Sequence, residues 1–149
     1  MASSGYSGTP LARKLGIDAG HHVALLNQPG ELEELTASLP DGVTLGADPA
    51  VAEVTVLFVT ARVELEARLA ELGAAIFPDR VLWVAWPKRA SKVATDMTED
   101  VVREVALPLG LVDTKVCAID ATWSGLRLVW RRVRRGTRLT AGSQLPALR

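Results

Sequence analysis

The sequence predicts an α/β fold: a mainly parallel sheet with helices on both faces, closed at its C-terminal side by an antiparallel hairpin. Three observations predict it. Short, solid apolar runs alternate with segments whose leucines recur at helical spacing. The early runs lack polar alternation, as strands covered on both faces do. The last two extended segments are separated by only residues 120–125, too few for a helical crossover, so they must pair antiparallel.

Each element has its own signal. Thr9-Pro10 opens a short first helix: Thr9 can cap it, and Pro10 suits the first helical position, where its missing N–H would have no partner anyway. Leu11 and Leu15 form its apolar stripe, and Gly16 ends it. Residues 23–26 are the first strand. Asn27-Gln-Pro-Gly breaks it, and 31–39 follows as a helix with Leu32, Leu35 and Leu39 inward. Pro40-Asp-Gly turns the chain into a weaker second strand, 43–45. Residues 54–59 are the third strand, ending at Thr60, which can cap the next helix. That helix, 61–72, sets Leu65, Leu69 and Leu72 inward, with Arg62–Glu66 and Glu64–Arg68 pairs outward.

Residues 81–86 are the fourth strand, closed by Pro87, and 88–95 form a polar loop. Asp96-x-x-Glu99 reads as a capping-box variant opening a helix through Leu107, with Met97, Val101, Val105 and Leu109 on one side and Pro108-Leu-Gly stopping it. Residues 112–119 and 126–133 are strands five and six. In the sixth, Leu126, Leu128 and Trp130 alternate with Arg127, Val129 and Arg131, the pattern of a sheet with one wet face. A Rossmann-like sheet ended by such a hairpin is the layout of the class I methyltransferase fold.

Length and composition agree with one domain. The chain has 149 residues, 48% hydrophobic and 23% charged, the balance of an ordinary globule. Residues 9–133 make the domain, 1–8 a flexible N-terminal segment and 134–149 a basic, disordered tail. A chain of this size buries roughly two-thirds of its unfolded surface and needs no disulfide or metal staple. Its single Cys117 has no internal disulfide partner. No apolar stretch nears the roughly 18 residues of a membrane span. The N-terminus lacks the basic and apolar regions of a signal peptide, and with the lone thiol this indicates the cytoplasm. Ser3, Ser4, Ser7 and Thr9 read as a frayed terminus, with a phosphorylation site or a lid as the alternatives.

The net charge of zero hides an asymmetry. From Arg131 onward there are six arginines and no acid, so the rest of the chain carries a charge of minus six. A solvated tail, or one paired within its own domain, is the simpler reading. A nucleic-acid arm is disfavoured because the tail has no aromatics interleaved for stacking on bases.

In open parallel sheets ligands sit outside the carboxyl ends of the strands. Those ends, with the hairpin loop, gather Asn27, Thr60, Lys88, Ser91, Lys92, Asp120 and Ser124, with Trp86 and Trp123 as apolar walls. These nine are the candidate ligand-binding residues: one aromatic-lined cleft with a few directed polar groups is what a small molecule needs. Lys88, Arg89 and Lys92 put three cations in one loop, an anion clamp or else a solvated surface. No catalytic residue and no metal ligand is assigned. His21 and His22 precede the first strand, at the other end of the sheet, and Cys117 reads as a buried, inert thiol. Asp120 reads as a turn residue bonding its own backbone.

A nucleotide turn after the first strand would show glycines, so that backbone N–H groups could approach the phosphate. Here it reads Asn27-Gln-Pro-Gly-Glu, with one glycine and a proline that removes a donor. Glu31, Glu33 and Glu34 follow and would repel a phosphate. Asp48 is the one candidate for an acidic ribose ligand. The cofactor therefore stays unknown: pyrophosphate is disfavoured at this turn, and S-adenosylmethionine is disfavoured without being excluded.

Three segments carry a resemblance. Gly5-Tyr-Ser-Gly-Thr-Pro-Leu-Ala-Arg-Lys-Leu-Gly-Ile, Leu82-Trp-Val-Ala-Trp-Pro-Lys and Cys117-Ala-Ile-Asp-Ala-Thr-Trp-Ser-Gly-Leu-Arg resemble the small, chiefly actinobacterial proteins grouped as domain of unknown function 3052. The likeness runs from about Gly5 to Arg132. It implies a cytoplasmic bacterial protein and supplies no catalytic residues.

Three functions are therefore weighed. The leading one is a non-catalytic, methyltransferase-like domain that binds a small anionic ligand or a protein partner at the strand carboxyl ends. The alternative is an active S-adenosylmethionine-dependent methyltransferase with an atypical cofactor loop. The third is a nucleic-acid-associated protein using the arginine-rich tail.

Overall fold

The computed structural model describes residues 9–131. The expected N-terminal segment, 1–8, and the basic tail, 134–149, lie outside the described residues, and so does any nucleic-acid role of that tail. The strands are β1 (His22–Leu26), β2 (Thr44–Gly46), β3 (Val54–Phe58), β4 (Val81–Pro87), β5 (Leu111–Ala118) and β6 (Trp123–Trp130). They form one sheet in the order β2-β1-β3-β4-β6-β5. The first four are parallel; β6 runs antiparallel to β4, and β5 antiparallel to β6. The predicted hairpin is therefore present, with β6 inserted between β4 and the edge strand β5.

Helices α1 (Leu11–Lys14) and α2 (Glu33–Ser38) cover one face, and α3 (Arg62–Ile76) and α4 (Glu99–Ala106) the other. Under α1 and α2, Leu11, Leu15 and Leu35 pack with Val23, Val56, Phe58 and Trp83. Under α3 and α4, Leu65, Leu69, Leu72, Ile76 and Val102 pack with Leu57, Leu82, Val84, Leu126 and Leu128. Every residue of β3 is buried, as its uninterrupted apolar run requires of a central strand. No described helix is long and apolar enough to cross a membrane.

Helix starts depart from the sequence reading, one because an acid takes a tertiary partner and the others because a different neighbour supplies the cap or none does. Pro10, rather than Thr9, occupies the cap position of α1, and no side chain caps it. Thr60 does not cap α3. Ala61 sits there, and Glu64 Oε1 instead accepts the N–H groups of Thr60 (3.0 Å) and Ala61 (3.2 Å). Glu64 is thereby unavailable to Arg68, which turns to Glu71 at 3.6 Å, whereas the predicted Arg62–Glu66 pair forms at 2.8 Å. The helix also runs four residues past Leu72, to Ile76. Asp96 accepts the N–H of Arg62 at 2.7 Å and leaves Thr98 to cap α4, whose hydroxyl accepts from Val101 at 3.1 Å. Val102 and Ala106 are the fully buried positions of α4; of the expected stripe, Met97 is buried and Val101 and Val105 pack against the same core, while Leu109 is exposed. Arg103 then ties α4 to β5, bonding Asp113 at 3.0 Å and also reaching Glu99.

Thr55 is the one buried side chain among the described residues with an unpartnered polar atom, its hydroxyl, in the middle of β3. A buried hydroxyl without a partner costs about 1–3 kcal/mol. Thr55→Val, nearly isosteric, is therefore expected to raise stability by about 1 kcal/mol in denaturant melts; a lower midpoint would mean that the hydroxyl has a partner.

Glu53 clamps the foot of β1: its Oε1 accepts the His22 N–H at 2.6 Å. That bond, followed by weaker help from the nearby His21 and His22 rings and opposed by slight burial, holds its carboxyl below the ordinary 4.5. A carboxyl lowered by folding stabilises above its unfolded pKa, and that stability is lost as pH falls through the folded value. Melting temperatures followed from pH 6 to pH 3 should fall less steeply for Glu53→Gln than for the wild type; parallel acid slopes would contradict the clamp.

Candidate functional site

The carboxyl ends of β1, β3 and β4 open on one rim, and the hairpin loop 119–122 joins it. Lys88 N–H donates to the Thr122 carbonyl at 2.7 Å. Asp120 Oδ1 accepts the N–H groups of Thr122 and Trp123, both at 2.8 Å, closing the turn with its own side chain as expected. Trp123, Ser124 and Gly125 belong to β6 rather than to the loop. Ser-Gly reads as turn punctuation in sequence, but Gly125 is required for packing. A Cβ there would lie 3.0 Å from Ile119 Cδ1 and 3.1 Å from the Trp83 ring.

This register divides the expected cleft. Trp86 pairs with Ser124, and Pro87 with Trp123. Directly opposed residues share a face and successive residues alternate, so Trp86 and Trp123 lie on opposite faces of the sheet. Trp86 packs in the core under α3 and α4. Trp123 packs in the other core, edge-on to Phe58 with ring centroids 5.2 Å apart. The two tryptophans are neighbours in the ladder but cannot wall one cleft. Two pockets replace it.

The first pocket, of about 520 Å³, lies between α1, α2 and the hairpin, and takes in Lys14, Glu34, Lys88 and Asp120. The second, of about 560 Å³, lies on the other face and takes in Trp86, Lys88, Arg89, Met97 and Ser124. Lys88 lines both. Of the nine residues predicted from sequence, four therefore line a pocket: Lys88, Asp120, Trp86 and Ser124.

Asn27, Thr60, Ser91, Lys92 and Trp123 line neither pocket. Asn27 is exposed and takes a left-handed φ of 59° at the turn after β1. Thr60 accepts the Thr95 hydroxyl at its carbonyl, 2.6 Å away. Ser91 closes a short 3₁₀ turn, its hydroxyl donating to the Lys88 carbonyl at 2.7 Å. Lys92, at φ 66°, ends that turn exposed, so the expected three-cation clamp reduces to Lys88 and Arg89. Sequence reasoning missed Lys14 and Glu34. They reach the rim because Ser38 Oγ accepts the Ala12 N–H at 2.9 Å and draws α1 against α2, a tertiary contact without a local signal.

The expected fold is also that of known structures. Magnesium protoporphyrin IX methyltransferase from Synechocystis PCC 6803, with bound S-adenosylmethionine, superimposes with a TM-score of 0.52 at 10% identity, over 82% of this chain and 74% of that one. A Sulfolobus solfataricus protein assigned as a type 11 methyltransferase gives 0.56 at 12%, over 83% and 91%. The O-methyltransferase of neocarzinostatin biosynthesis gives 0.50 at 16%, over 74% of this chain and about half (49%) of its own. The chain has a class I methyltransferase fold. No protein-family profile matches it, and no curated protein does.

The cofactor half of that fold is reduced here. β2 pairs only His22–Ala24 of β1 and stops opposite Ala24, two residues short of the rim. Asp48 beyond it accepts the Ala50 N–H at 2.9 Å and so caps a 3₁₀ turn, Pro49–Val51, below the rim. After β1, Gln28 Nε2 donates to the Gly30 carbonyl at 2.7 Å, and α2 is six residues long with Glu33 and Glu34 in its first turn. These residues do not fit a phosphate after β1, where Glu33 and Glu34 set two carboxylates in the first helical turn, and the one acid that follows β2 stands beyond a strand that stops short of the rim.

The remaining reactive groups face other tasks. His22 Nδ1 bonds the Thr44 hydroxyl, and His21 Nδ1 accepts the Asp18 N–H at 3.0 Å, both at the amino ends of the strands. Cys117 on β5 is half-buried, and burial pushes its thiol up against a weaker downward pull from Lys14 and Lys115. A raised thiol holds little thiolate near neutrality. At pH 8 its reaction with Ellman's reagent should be several-fold slower than that of free cysteine; an equal or faster rate would make it a nucleophile to reconsider.

Proposed function

We propose that this chain is a binding domain built on the methyltransferase scaffold, taking a small anionic ligand at the strand carboxyl ends through Lys88. The observation that carries the reading is the reduced cofactor half, β2 and Asp48, set against an intact opposite half with a lysine shared by two pockets. Lys88 is half-buried, and its side chain has no hydrogen-bond or ion-pair partner among the described residues. An ammonium without a partner among the described residues is a ready site for an anion. A carboxylate presented by a protein partner would use the same group. Membership of domain of unknown function 3052, and with it a place in the bacterial cytoplasm, belongs to this proposal and rests on the three sequence motifs.

A second reading, an active S-adenosylmethionine-dependent methyltransferase, is favoured by the two superimposed enzymes that hold that cofactor. Thermal shift separates the two. A ligand at a hundredfold excess over Kd stabilises by about 2.7 kcal/mol. Phosphate, citrate or 4-methylpentanoate at millimolar concentration should raise the melting temperature, and Lys88→Ala should remove the shift while leaving the free protein's melting unchanged. Stabilisation by S-adenosylmethionine and S-adenosylhomocysteine, with none by the anions, would replace this reading with the second.

A further inference from the structure

The first pocket carries charges of both signs, which narrows what it can hold. We propose that its ligand is a zwitterion of the α-amino-acid class with an apolar side chain, its carboxylate on Lys88 and its ammonium on Asp120. This rests on the reading above, that the rim takes a ligand through Lys88.

Lys88 and Asp120 line the same pocket, both half-buried. Asp120 commits Oδ1 to the N–H groups of Thr122 and Trp123, which fixes the carboxylate and leaves Oδ2 without a partner among the described residues. Lys88 Nζ likewise has none, and the two side chains form no ion pair with each other even though the Lys88 backbone is bonded to the same loop at Thr122. Opposite charges that line one pocket without pairing with each other each favour a complementary charge at their own position.

A simple anion answers Lys88 but meets Asp120 on the same wall, so it binds more weakly than a ligand that answers both, and a simple cation meets the reverse. A dipolar ligand satisfies both signs at once. Pro10, Leu11, Ala37 and Ile119 supply an apolar wall for its side chain. The volume of about 520 Å³ lies within the range of small-molecule sites and leaves room for a large hydrocarbon group.

The test is calorimetric titration of the full chain with leucine, phenylalanine and methionine. Three controls run beside them: 4-methylpentanoate, which is leucine without its ammonium, leucinamide, which lacks the carboxylate, and inorganic phosphate. The expected result is that an amino acid binds at least tenfold more tightly than either single-charge analogue. Asp120→Asn keeps the oxygen that closes the turn and should erase the advantage over 4-methylpentanoate, with the free variant melting as the wild type does. Lys88→Gln should instead erase the advantage over leucinamide. Equal affinity for leucine and 4-methylpentanoate, or binding of phosphate without binding of any amino acid, would overturn the zwitterion and leave the anion reading standing. Binding of none of the probes would overturn both.

Discussion

The indole of Trp83 is the constraint on which the rest of the molecule depends. It is fully buried in the middle of β4, and its Nε1–H donates to the Leu15 carbonyl at 3.0 Å. That bond fastens the end of α1 to the sheet and satisfies a carbonyl that would otherwise be orphaned at a helix terminus. The same ring lies where a side chain on Gly125 would be, so β6 can take its place beside β4 only with glycine at that point. With Gly125 set against Ala85, the ladder then places Ser124 beside Trp86 and Trp123 beside Pro87. The position of α1, the register of the hairpin and the floor of the first pocket thus follow from one aromatic side chain.

How much of this was legible in the sequence depends on whether a residue's partner is near in the chain. The central parallel strands β1, β3 and β4 were legible because burial on both faces demands unbroken apolar runs, and 54–59 has nothing else to be. The hairpin was legible because six residues cannot house a crossover. Its register was not. Trp123-Ser-Gly carries turn-like residues, and the side chains of Ile119 and of Trp83, far earlier in the chain, are what require a glycine at 125 within the strand. A shift of one position in an antiparallel ladder exchanges the faces of every side chain. Taking 123–125 into the strand fixes those faces, and it separates one cleft walled by two tryptophans from two pockets back to back. Helix caps failed for a related reason: Glu64, Asp96 and Thr98 each have several N–H groups within reach, and packing between α3 and α4 chooses among them.

The halves of the sheet have diverged in what they can do. On the β2 side the strand is three residues long and exposed, and its following acid is spent on a local cap. A ribose-binding carboxylate must stand at the rim, and β2 stops two residues short of it. On the hairpin side, Asp120 shows the opposite economy. One oxygen holds the turn and the other has no partner among the described residues, so the residue that reads as a turn-former is also a fixed charge lining the first pocket. A turn aspartate and a ligand-binding aspartate are not alternatives here, because a carboxylate has two oxygens and the turn needs one.

Lys88 draws its significance from position rather than from any motif. It follows directly on the last residue of β4 and lines a pocket on each face, while its backbone N–H is held by Thr122 and its carbonyl by Ser91. A lysine on a free loop would lose several rotors' worth of entropy on gripping a ligand. Here the backbone on either side of the charge is already bonded, and only the side chain remains to be ordered. Preorganisation of that kind raises affinity without adding contacts. It also explains why Lys92, four residues on and of the same charge, is a poorer candidate: it stands beyond the turn, exposed and outside both pockets, where water solvates its ammonium as well as any ligand would.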